Sequence, residues 1–232
     1  FKPSFRNDSV RELLRLSTWS VGYVLANQFA LVVIRNLASP GSGLVDAYTK
    51  AYVIFQLPHG LLAVSIATTF LPRLVEKHRA GREDDFAARI SQGIRVTTLL
   101  TLPASIVAVV LAKPLVTFLL GHGNFDLMAI ESTSRALSGL AIGLVGFSTY
   151  LFVLRGFYAK GDTRTPFFIN LAENAINIVL AILLVDSLDV FGLGVAFAVA
   201  YLIGAVIAAL VLAATTPKWS TSPVSYTHLT LP

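Results

Sequence analysis

The chain has 232 residues, 55% of them hydrophobic and only 13% charged, about half the charged share of an ordinary soluble domain. Its formal charge is +5, but the basic residues lie between apolar runs and not in one solvated patch, which argues against a nucleic-acid partner. With no cysteine there is neither a disulfide frame nor a thiolate metal site, and the four histidines make no ligand pair at helical spacing.

The apolar residues cluster into runs of about 20, the length that crosses a ~30 Å hydrocarbon layer as a helix. Six such spans predict an all-α fold, a polytopic transmembrane helix bundle. The start, Phe1 to Arg6, shows neither an initiator Met nor a signal-peptide core, so the chain is expected to begin inside a longer protein. The first span runs from about Leu13 to Leu37. Ser20, Tyr23 and Asn27 fall at i, i+3 and i+7 with Gln28 beside them, a face able to hydrogen-bond substrate, water or neighbouring helices.

The second span, about Leu44–Leu74, carries Pro58-His-Gly60 near its middle. The proline ring removes a backbone donor, so a kink is expected there. In lipid, carbonyls freed by a kink are tolerated only where protein or a water-filled cavity satisfies them. Tyr52, Gln56 and His59 follow one face up to this kink. His59 reads more readily as a hydrogen-bonded kink residue than as a proton shuttle. Lys50, four residues after Asp46, is either a buried cation facing the cavity or a side chain neutralised by Asp46 and snorkelling to the surface. The connection Val75–Gln92 mixes charges with Phe86, Ala87 and Ile90 and predicts an interfacial amphipathic helix.

The third span, about Ile94–Leu120, ends near Lys113-Pro114, an anchoring position for a lysine. The fourth, about Ala129–Tyr158, bears Gly139, Gly143 and Gly146, and the sixth, about Val190–Ala214, bears Gly192, Gly194 and Gly204; such residues let helices approach closely. Between them the fifth, about Pro166–Val185, presents Asn170, Glu173, Asn174 and Asn177 as a polar stripe. Glu173, Asn174 and Asn177 are candidates to bind a proton or a hard cation such as Na⁺; an ion pair between Glu173 and a basic residue elsewhere is the alternative. Residues 1–215 thus form the six-helix unit. Residues 216–222 read as a short tail, and residues 223–232, including Tyr226 and His228, as a non-native stretch derived from a sequencing adapter.

Of the 18 basic residues, all but Arg35, Lys50, Lys113 and Arg135 fall on one side of this six-span order, which places both ends in the cytoplasm. No nucleophile elbow, phosphate loop or paired catalytic carboxylates are present, so bond chemistry is not expected and neither is a cofactor.

Two longer motifs carry more. Ala51-Tyr-Val-Ile-Phe-Gln-Leu-Pro-His-Gly60, with its continuation to Pro72-Arg73, resembles the signature helix of the MurJ/MviN lipid II flippases, and Arg155-Gly-Phe-Tyr-Ala-Lys-Gly-Asp-Thr-Arg-Thr-Pro166 resembles a cytoplasmic connection of the same family. Asn27-Gln28 fits as well. The resemblance covers almost all of residues 1–215 and implies the C-terminal lobe of a two-lobed MOP-superfamily transporter in the bacterial cytoplasmic membrane. It implies alternating access and the lipid-linked peptidoglycan precursor as substrate; membrane potential or an ion gradient of Na⁺ or protons is the expected drive. Membrane lipids and cell-wall synthesis proteins are the other partners it suggests. Asn27, Gln28, Lys50, Tyr52, Gln56 and His59 become candidates for the substrate cavity. The family places an arginine five residues before the signature proline, where this chain has Val53; Lys50, one turn earlier, is the candidate replacement. A related polysaccharide-lipid or multidrug exporter is a second reading, opposed by the two motifs. A non-transporting scaffold that binds the precursor is a third, favoured by Val53.

Overall fold

The computed structural model describes residues 8–38, 43–123 and 125–216; the expectations for the tail beyond residue 216 lie outside them. Every regular element there is helical: α1 (Asp8–Leu37), α2 (Leu44–Pro58), a π-helical turn (His59–Ala63), α3 (Val64–Arg79), α4 (Glu83–Val110), α5 (Ala112–Leu120), α6 (Leu127–Ile142), α7 (Leu144–Ala159) and α8 (Arg164–Ala214). Large apolar side chains stand on the outside, among them Phe118 at 83% and Leu61 at 74% exposure. In water such a surface would be an aggregation liability; facing acyl chains it is the ordinary exterior of a membrane bundle.

Four continuous helical stretches are long and apolar enough to cross a bilayer: Ser17–Leu37, Leu44–Arg79, Glu83–Val110 and Arg164–Ala214. The α6–α7 pair, bent by 49°, makes a fifth. The 51 residues of α8 would reach about 77 Å if straight, more than twice the hydrocarbon thickness. They do not run straight. Asp189 leaves the helical region at φ 57, ψ −141, and a Cβ on Gly204 would lie 3.1 Å from the Glu173 Cγ, so α8 is a hairpin of two antiparallel arms, 164–188 and 190–214. That gives six passes. Arg135 steadies the reversal by donating to the Leu188 carbonyl at 3.3 Å.

Asp189 holds this turn in a conformation that costs a non-glycine residue about 1–3 kcal/mol. Asp189→Gly is expected to raise the thermal midpoint of the detergent-solubilised protein by an amount worth ~1 kcal/mol, read as retention of the monodisperse peak after heating. An unchanged or lower midpoint would mean that the Asp189 side chain contributes more than its backbone costs.

At Pro58 the second pass changes from α2 to a π-helical turn, which accommodates the missing donor while the backbone stays helical, so the kink expected there is a π-bulge. Three boundaries differ from the sequence reading. The Val75–Gln92 connection is not a separate interfacial helix: α3 continues to Arg79, Gly81 turns the chain at φ 67, and α4 starts at Glu83. Phe86 and Ile90 are fully buried, so the apolar side of that stretch packs on protein and not on lipid. The third pass breaks at Leu111 (φ −102, ψ 21) before α5. The fourth pass bends at Gly143, where a Cβ would come within 2.6 Å of the Ala198 Cα, so α8 can pack into the bend.

Charged contacts gather at the two ends of the bundle. At one end Lys50 pairs with Asp46 and Lys113 meets Glu131 at 2.8 Å. At the other, His78 meets Glu83 at 2.8 Å and Lys77 meets Asp85 at 3.4 Å. There too Lys160 donates to the Thr215 carbonyl and the Thr216 hydroxyl, at 3.1 and 2.7 Å, and stands over the Phe86 ring. Burial among these groups pulls the Lys160 ammonium below the usual lysine range, against the opposing charges of Glu83 and Asp162. An apolar belt separates these two charged layers, as in a bundle that crosses a bilayer.

Candidate functional site

Inside this belt, α1, α2, α7 and both arms of α8 surround a cavity of about 370 Å³. Seven of the residues singled out by sequence reach its wall: Tyr23, Asn27 and Gln28 from α1, Tyr52 and Gln56 from α2, Asn174 and Asn177 from the first arm of α8. Their spacing explains why. Residues three, four and seven apart share one helix face, and these helices turn their polar faces toward one another because lipid offers no partner for an amide.

Asn27, Asn170 and Asn174 form a hydrogen-bonded amide cluster. Asn27 and Asn170 exchange side-chain hydrogen bonds at 3.3 Å in both directions. Asn174 donates to the Asn27 side-chain oxygen at 3.4 Å and to the Asn170 carbonyl at 2.9 Å. Asn27 also returns a bond to the Tyr23 carbonyl at 2.9 Å. The bonds of Asn27 with Asn170 and Asn174 tie α1 to the first arm of α8, each worth roughly 0.6–2 kcal/mol in a bilayer.

Glu173 stands apart. It is 1% exposed, and neither carboxyl oxygen has a hydrogen-bond partner. No basic side chain among the described residues pairs with it, which removes the ion-pair alternative there. A bare carboxylate in such a place costs several kcal/mol. The Asn177 side-chain oxygen, one turn along, is likewise buried without a donor. Glu173 is not on the cavity wall; it packs against Gly204 of the second arm.

Lys50 and His59 are also off the wall. Lys50 is bonded to Asp46 and lies 4.7 Å above the Phe125 ring, at the charged end of the bundle. Neutralisation by Asp46 is therefore the arrangement seen. The His59 Nδ1 lies 3.0 Å from the Ser148 hydroxyl, and its ring packs edge-on against Phe147 at 4.6 Å. It fastens the π-turn to α7. Val53, at the position of the family's arginine, is 60% exposed.

Sequence reasoning missed the aromatic wall. Tyr48, Phe147, Phe197 and Tyr201 line the cavity, with Phe197 and Tyr201 at 4.4 Å and Phe147 and Tyr201 at 4.9 Å between ring centroids. The available signal was the i, i+4 recurrence of Tyr48 with Tyr52 and of Phe197 with Tyr201, each on a face that also carries polar or small residues.

The family model described as "Lipid II flippase MurJ" matches residues 1–229. A relative from Burkholderia cenocepacia, "Lipid II flippase MurJ", is 32% identical over 164 residues, covering 70% of this chain and 32% of its own. "Probable lipid II flippase MurJ" of Thermotoga maritima is 29% identical over 208 residues, 88% of this chain and 42% of its own. The chain thus spans less than half the length of either relative. Among solved structures, "Lipid II flippase MurJ, inward closed conformation" superposes with a TM-score of 0.77 at 24% identity over 91% of this chain and 45% of that one. "Crystal structure of MATE in complex with MaL6" gives 0.77 at 14% identity, over 92% and 49%.

Proposed function

Because this chain belongs to the lipid II flippase MurJ family, we propose that it forms one lobe of a transporter that moves the lipid-linked peptidoglycan precursor across the bacterial cytoplasmic membrane. The observation that carries this reading is the cavity walled by amides and tyrosines within an otherwise apolar bundle. A sugar-peptide headgroup needs hydrogen-bond partners at membrane depth, while its polyprenyl tail can stay in lipid. The aromatic wall suits the same cargo, since sugar rings stack on flat apolar faces through their C–H groups. Asn27, Gln28, Tyr52 and Gln56 contact the headgroup in this account. Glu173, with Asn174 and Asn177 close by, binds the coupling proton or Na⁺. No bond is made or broken.

The test is complementation of a flippase-depleted bacterium by the full-length gene. Growth with wild type supports the reading, and failure of a protein that reaches the membrane removes it. Because Lys50 lies off the wall and is already paired, Lys50→Ala is expected to support growth within about twofold of wild type, the small effect typical of an exposed ion pair. A lethal Lys50→Ala would return that residue to the substrate path.

A further inference from the structure

Among the described residues the cavity wall itself holds no basic side chain, yet a diphosphate-bearing lipid carries concentrated negative charge. Two guanidiniums lie just beyond it. On α1, Gln28, Leu31 and Arg35 are at i, i+3 and i+7, and the first two line the cavity; Arg35 therefore continues the lining face one turn further. It is exposed, forms no ion pair among the described residues, and lies within electrostatic reach of the hydroxyl of Tyr48, itself on the wall. On α7, Phe147, Leu151 and Arg155 are at i, i+4 and i+8, and again the first two line the cavity. Arg155 is half-buried, without an ion pair among the described residues, and lies within electrostatic reach of His59 and Tyr158. Since α1 and α7 run in opposite directions through the bundle, these continuations lead to opposite ends: Arg35 to the outer mouth, Arg155 to the cytoplasmic one.

We propose that Arg155 and Arg35 are two successive anion stations, the first holding the diphosphate at the cytoplasmic mouth and the second receiving it at the outer mouth. This rests on the flippase reading above and names the residues that would position its cargo. The distance requires two stations and not one clamp. Tyr23 on the wall and Arg35 are about 18 Å apart along α1, and Tyr23 lies within electrostatic reach of Tyr158, one turn from Arg155. A diphosphate is only about a third as long, so it can engage one guanidinium at a time. Arginine suits both places because its planar fork holds phosphate oxygens through two parallel hydrogen bonds. Among the described residues neither guanidinium is committed to a carboxylate, unlike Lys50, Lys113 and Lys77.

The test uses the full-length protein with Arg35→Gln, Arg155→Gln and the charge-keeping Arg35→Lys and Arg155→Lys. Two readouts are paired: complementation of the flippase-depleted strain, and binding of undecaprenyl diphosphate by purified protein, with uncharged undecaprenol as the control. Each glutamine variant is expected to lower complementation at least tenfold and to weaken diphosphate binding five- to tenfold without changing undecaprenol binding. Lysine is expected to recover part of both. If wild type complements and both glutamine variants complement and bind as wild type does, the stations are wrong while the flippase reading stands. If wild type itself fails, the reading beneath them fails. Should a glutamine variant not accumulate, the lysine variant decides: diphosphate binding that keeps the wild-type salt dependence and affinity when the guanidinium is lost from both sites overturns the proposal's bidentate contact, and weakened binding upholds it.

Discussion

Gly139→Leu is expected to leave almost no folded protein. A Cβ at this position would sit 2.6 Å from the Phe191 carbonyl oxygen and 3.0 Å from the Gly194 Cα, both backbone atoms of the second arm of α8. No rotamer change can relieve a clash with backbone. The contact is mutual, since a Cβ on Gly194 would meet the Leu140 nitrogen at 2.6 Å. To admit a leucine, α6 and α8 must separate along the seam that also seats Gly143 against Ala198. Overpacking of a tight core costs about 1–3 kcal/mol and more where the backbone must move; here about 3 kcal/mol or more is expected. Fluorescence-detected gel filtration of the full-length protein would show the monodisperse peak lost for Gly139→Leu and already reduced for Gly139→Ala, whose Cβ alone meets the backbone. A normal peak for the leucine variant would mean that the two helices do not meet at this seam.

The second large effect has opposite signs in two assays. Glu173→Gln replaces a buried, unpartnered carboxyl by a neutral group of the same shape, removing a desolvation cost of several kcal/mol whenever the carboxylate would be charged. Stability near neutral pH is therefore expected to rise by about 1–3 kcal/mol. Transport is expected to fall at least tenfold, with loss of its dependence on the proton or Na⁺ gradient, because an amide can neither carry the exchangeable proton nor neutralise a cation. A variant that is more stable and transports as before would reduce Glu173 to a packing residue. One that is less stable would point to a hydrogen-bond partner outside the described residues.

These cases show what was legible in the sequence and what was not. Composition and the 20-residue apolar rhythm were enough for an all-helical membrane bundle, because in lipid the backbone has few other ways to satisfy its polar groups. Pro58 marked where the second pass changes to a π-helical turn, because its ring removes a backbone donor. The bend at Gly143 was invisible as such, since a glycine that hinges and a glycine that packs have the same letter, and only the neighbouring Ala198 separates them. The Val75–Gln92 connection misled because an amphipathic stretch looks alike whether its apolar side meets lipid or, as Phe86 and Ile90 do, the core.

For the site, helical spacing identified the amides Asn27, Asn174 and Asn177 that reach the wall. The same spacing could not decide between Lys50 and Arg35 as the nearby cation. That choice depends on which way each helix is rotated in the bundle, and on Asp46 having already taken Lys50. The aromatic wall was illegible because tyrosine and phenylalanine in an apolar span serve equally as core, lipid-facing or cavity residues.

If this cavity is the path of the lipid-linked precursor, a thiol on its wall reacts with a polar reagent and the precursor shields it. The described chain has no cysteine, which suits a labelling measurement. In a full-length protein kept free of other cysteines, Gln28→Cys and Gln56→Cys place a thiol at the cavity wall, and Ile182→Cys places one on the exposed apolar exterior. Reaction with a membrane-impermeant maleimide is expected at the first two and not at the third, and added lipid II is expected to slow the first two at least fivefold. Labelling of Gln28→Cys and Gln56→Cys that is absent, or that proceeds at the same rate with and without lipid II, would contradict that path.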